Sequence, residues 1–188
     1  MQDLGISNST PQSDNRLKNL FWPTISTATD VDTLGTQGFW ICVIVAVLAF
    51  CISLFAGSLF AGLLVLVFYF LGAIGVREHD RFTAVVVFLM FLTDTVLAFG
   101  IWKVLLCVVL LSNMRATFIA SSWKAITPDS EMPLRFSETW GDKFSDKMPA
   151  WLWPKVRVIY YIYASLFLLL TVVGLVVLLN KGLLRPFH

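Results

Sequence analysis

The sequence predicts an all-α integral membrane protein, a bundle of about five transmembrane helices whose first two form a tight hairpin, with an in-plane amphipathic helix before the last span. Three observations predict it. From Phe39 to Val76 the chain runs 38 residues without Asp, Glu, Lys, Arg or His, and Val158 to Leu179 adds 22 more. Apolar residues make up 57% of the 188, charged residues only 14%, and the mean hydropathy is +0.78, well outside the range of soluble domains. Charges also cluster between the apolar runs, as in Arg77-Glu78-His79-Asp80-Arg81. Five spans of about 19 residues use roughly half the chain and leave no segment long enough for a separate folded domain.

Residues 1–37 read as a polar, mobile tail rich in Ser, Asn, Gln and Asp. Asp30 and Asp32 stand where a secretory signal would carry Lys or Arg, so none is expected. The segment 38–123 holds four spans. As one helix, 39–76 would measure about 57 Å, nearly twice the ~30 Å of bilayer hydrocarbon. It is therefore read as a hairpin of spans 39–56 and 58–76, turning at Ala56-Gly57-Ser58, where Gly and Ser offer little resistance. Ser53, Gly57 and Ala61, with Ser58 and Gly62, would also suit a continuous helix packed closely on a neighbour, and length decides for the turn. Gly72 and Gly75 suit close packing. The third span is 82–99, Gly100 turns the chain, and 104–123 is the fourth. An interfacial segment follows at 124–157, then a fifth span at 158–180 entered through Tyr160, Tyr161 and Tyr163, and a short tail at 181–188.

Five spans place ten Lys and Arg on the side of the N-terminus, including Arg77, Arg81, Lys155 and Arg157, against Lys103, Lys181 and Arg185 on the other. Positive segments resist translocation, so the N-terminus is expected in the cytoplasm and the C-terminus outside, in a cell membrane, the inner one if the cell is bacterial. The acceptor pattern Asn8-Ser9-Thr10 is discounted on that topology.

Asp94 is the sharpest candidate residue, because a carboxylate inside a span is costly and often marks an ion path. It lies about 9 Å from the turn at Gly100, and Lys103 about 5 Å from the same turn on the next helix. The favoured reading is a structural Asp94–Lys103 pair joining the third and fourth spans. Arg115 is about 22 Å from that turn and is expected to snorkel towards the cytoplasmic interface. On the other side of its helix Asn113, Ala116, Thr117, Ala120 and Ser121 form a small, polar stripe, read as a helix-packing seam, with a polar solute path as the alternative.

If 134–148 is helical, Phe136, Trp140, Phe144 and Met148 share an arc of about 120°, opposite Glu138, Asp142 and Asp146. Such a helix would lie in the interface, delivered by Pro133 and ended by Pro149, with Trp151 and Trp153 anchoring the chain beyond it. The same aromatic face would suit docking on a partner protein.

The sequence excludes more chemistry than it suggests. A net charge of +2 without a dense basic cluster argues against nucleic acid. Cys42, Cys51 and Cys107 all fall within spans and offer no extramembrane disulfide, and Cys42 and Cys51 point to opposite sides of one helix. His79 and His188 lie outside the spans, which disfavours haem and histidine metal centres. No nucleophile elbow, zinc-protease, P-loop or dinucleotide motif is present. No catalytic, cofactor or metal residue is assigned, and no enzyme activity is expected. The expected function is that of a structural or interaction protein, an accessory subunit or assembly partner of a larger membrane complex, its partners being the bilayer and other membrane subunits or itself. The alternative is a small oligomeric transporter or channel using Asp94.

Overall fold

The computed structural model describes residues 21–25, 28–123 and 140–180. Five helices carry them: α1 (Ala28–Phe55), α2 (Leu59–Arg77), α3 (Arg81–Leu97), α4 (Ile101–Trp123) and α5 (Trp140–Asn180). There is no strand among the described residues. Four of the five contain a stretch long and apolar enough to cross a membrane: Asp30–Phe55, Leu59–Arg77, Ile101–Ser121 and Lys143–Leu178. The exception is the third expected span. At 17 residues α3 measures about 26 Å, short of the ~30 Å hydrocarbon layer.

Successive helices turn back on each other within three residues, so α1 to α4 run alternately up and down. The end holding the α2–α3 turn is termed basal, the end holding the other two turns apical. Gly57 closes the α1–α2 turn with φ +74°, and hydrogen bonds from Gly57 to the Leu54 carbonyl and from Ser58 to the Ser53 carbonyl satisfy the last orphan groups of α1. His79 plays the same part after α2 at φ 54°: its N–H bonds the Val76 carbonyl and that of Asp80 bonds the Gly75 carbonyl. The Asp80 side chain then caps α3 by accepting from the Thr83 N–H at 2.9 Å.

Helix α1 packs against α2 and α4, α3 against α2 and α4, and α5 lies on α2 with further contacts to α3 and α1. The main core joins Phe39 and Cys42 of α1, Phe68 and Ile74 of α2, Val87 and Phe91 of α3, Leu110 of α4, and Trp153 and Tyr160 of α5. Glycines set the spacing at α2. A Cβ on Gly72 would stand 2.7 Å from Val87 and 2.9 Å from the Tyr160 hydroxyl, and one on Gly75 would stand 2.5 Å from Trp153.

Two expectations are corrected. Residues 28–37 are not part of a tail: α1 starts at Ala28, eleven residues before its charge-free run, because Val31 and Leu34 pack on Ile25 and Ala116. The described part of 134–148 is not a separate helix ended by Pro149. Helix α5 runs unbroken for 41 residues with Pro149 and Pro154 inside it. Proline clashes with the preceding turn and removes one bond, which bends a helix as well as ending it. Contacts on either side of the prolines fit a bend. Trp153 meets Gly75, while Phe144, about 13 Å before it along a straight helix, still meets Phe39 and Trp40.

Candidate functional site

The polar side chains gather at three places. At the apical α3–α4 turn, Lys103 Nζ stands 2.8 Å from Asp94 Oδ2, with the side chains 34% and 55% exposed respectively. The pair ties α3 to α4 across their short connection, and the Asp94 carboxylate sits at the rim of the bundle rather than between helices.

The small-residue stripe of α4 faces α1. Asn113, Ala116 and Thr117 are buried, and the Asn113 amide donates to the Leu34 carbonyl of α1 at 2.7 Å. A Cβ on Gly38 would stand 2.6 Å from that amide nitrogen, so glycine is what admits the asparagine. Thr117 donates to the Asn113 carbonyl one turn back. Ala120 packs beside the Ile25, Val31 and Leu34 cluster, and Ser121 turns outward to accept from Arg81 Nε at 2.7 Å. Arg115 reaches the segment before α1, its guanidinium 5.1 Å from the Trp22 ring and donating to the Pro23 carbonyl.

The third place is basal, and sequence reasoning missed it. Arg77, which opens the charged cluster between two apolar runs, is only 8% exposed. Its guanidinium lies 2.6 Å from the Asp32 carboxylate of α1 and 2.5 Å from that of Asp146 of α5, and also donates to the Asp32 carbonyl at 3.2 Å. At the N-terminus of α3, Asp80 accepts from the Thr83 hydroxyl and, through its other oxygen, from the Tyr161 hydroxyl of α5. These bonds fasten three helices to the α2–α3 turn. The sequence signal was faint: Asp32 and Asp146 lie 45 and 69 residues from Arg77.

The aromatic face of 124–157 divides. Phe136 lies outside the described residues. Phe144 and Trp153 turn inward, Phe144 onto Phe39 and Trp40 and Trp153 onto Gly75 and Tyr160. Trp140 and Trp151 point outward at 80% and 63% exposed, Trp140 stacked on Phe144, and Met148 is half-buried. These side chains do not share one docking face: Trp151 and Trp153, two residues apart, stand about 200° apart around the helix.

The three cysteines are free thiols, Cys42 and Cys107 buried in the core. Among the described residues no three His, Cys, Asp or Glu converge in a way that could hold a metal ion. The arrangement is that of an all-helical protein whose buried charges bind helix to helix. Compared with protein-family models, curated proteins and solved structures, the chain matches none.

Proposed function

We propose that the chain is a multi-pass protein of the cell (inner) membrane, N-terminus in the cytoplasm, that acts as a structural or interaction subunit of a larger membrane complex. The observation that carries this reading is the outer end of α5. Leu169, Leu170, Val172, Val173, Val176 and Val177 point in several directions around the helix and all are exposed. A Cβ on Gly174 would meet nothing within 4 Å. About three turns of helix thus offer apolar surface that the other described residues leave uncovered, and such surface calls for lipid and neighbouring helices.

The charged groups support the same reading. Arg77 is paired with both Asp32 and Asp146, and Asp94 stands at the rim, a poor position for an ion path between helices. The test is the protein content of the particle extracted from native membranes in mild detergent. Other polypeptides in fixed ratio are expected. A chain that emerges alone, or only with itself, and carries ion flux abolished by Asp94→Asn would overturn the reading in favour of a transporter.

A further inference from the structure

Three carboxylates near the basal end turn inward, while Glu78 of the α2–α3 turn is half-buried. Asp32, Asp80 and Asp146 spend their carboxylates inward, on Arg77, Thr83 and Tyr161. Four of the described cations instead lie over aromatic rings. Arg81 lies 5.7 Å from the Phe118 ring centre, Arg115 5.1 Å from Trp22, Lys155 4.1 Å from Trp151, and Arg157 5.6 Å from Tyr161. None of the four has a carboxylate within ion-pair distance among the described residues. At the apical end the described cation, Lys103, is neutralised by Asp94.

The four cations come from three helices, Arg81 from α3, Arg115 from α4, and Lys155 and Arg157 from α5. Arg81 touches Phe118 and Ser121 near the end of α4, and Arg115 lies about one turn deeper in the same helix. Arg157 sits one turn before Tyr161, which is bonded to Asp80 beside Arg81. A cation over a ring face is held by the ring quadrupole, which leaves its outward N–H groups unused. Arg81 Nε is further fixed by Ser121, so its terminal nitrogens remain to grip a phosphate as a fork. Trp22, Trp151 and Tyr161 beneath the cations are residues favoured at the headgroup level.

We propose that this basal belt binds anionic phospholipid headgroups, Arg81 and Arg157 gripping phosphate oxygens beside α3 and α5. The proposal rests on the membrane reading above. Its test uses the full chain in two stages. Flotation with phosphatidylcholine vesicles examines the membrane reading alone. Delipidated protein is then offered phosphatidylglycerol and phosphatidylcholine of matched acyl chains, and bound lipid is counted by native mass spectrometry.

Wild type is expected to retain phosphatidylglycerol on the order of tenfold over phosphatidylcholine, since each surface cation contributes several-fold. Arg81→Gln with Arg157→Gln should remove most of that preference, and Lys103→Gln should keep it. Raising ionic strength should shrink the wild-type preference, a readout that needs no variant. Equal retention of both lipids by wild type, or equal loss in Lys103→Gln, would overturn the proposal. A chain that floats with phosphatidylcholine yet shows no preference defeats the belt alone, whereas a chain that does not float defeats the membrane reading and the belt together.

Discussion

Tyr161 of α5 donates its phenolic hydrogen to Asp80, and the other oxygen of that carboxylate caps α3 through Thr83. One side chain thus starts a helix and docks a distant one, 81 residues on. Tyr161→Phe removes only the docking bond and should cost about 1 kcal/mol. Asp80→Ala loses the cap as well and should cost about 2 kcal/mol. In the double variant the losses should be less than additive, read from reversible unfolding in mixed micelles.

Arg77 should be the most sensitive charged position. Arg77→Met leaves the Asp32 carboxylate buried without its cation, at a cost of about 3–5 kcal/mol. Asp146→Asn should cost much less, because that side chain is 40% exposed and water takes over part of its role. Arg77→Met combined with Asp32→Asn should recover part of the loss, measured by the same unfolding titration.

Glycine positions should split by environment. Gly75→Ala drives a methyl into Trp153 and Thr83 and should destabilise by about 1–3 kcal/mol while loosening α5 from α2. Gly174→Ala meets open space and should change stability by less than about 1 kcal/mol, towards greater stability, since alanine favours the helix. Proteolysis near α5 should accelerate in the first variant and stay unchanged in the second.

Asp94→Asn should lower stability by less than about 1 kcal/mol, as for other solvent-accessible pairs, with Lys103→Gln giving a similar small loss. Flux measured in reconstituted vesicles should be the same for Asp94→Asn and wild type. Loss of a wild-type flux in that variant would return Asp94 to the centre of the function.

What could be read from the sequence was local. The hairpin turn at Gly57 follows from helix length against bilayer thickness, and the closeness of Asp94 to Lys103 from their short distances to one turn. The buried role of Arg77 was hidden because its partners lie far along the chain and its neighbours, Glu78 to Arg81, look like a solvated loop. The unbroken course of α5 was hidden because Pro149 reads as a stop. Only the packing of Phe144, Trp153 and Tyr160 on α1 and α2 explains why the helix continues through it. The early start of α1 was masked by Asp30, Asp32 and Thr33, whose polarity says tail while Val31 and Leu34 are packed.

The three-residue turn at Gly57 also sets an order of events during synthesis. Helices α1 and α2 are neighbours in the chain and can zip together as soon as both have left the ribosome, bringing Asp32 to Arg77. Asp146 is translated 69 residues after Arg77, and with it the helix that completes the bundle. A nascent chain cut short before α5 therefore holds its Arg77 on Asp32 alone, without the contact that ties α5 to the basal end.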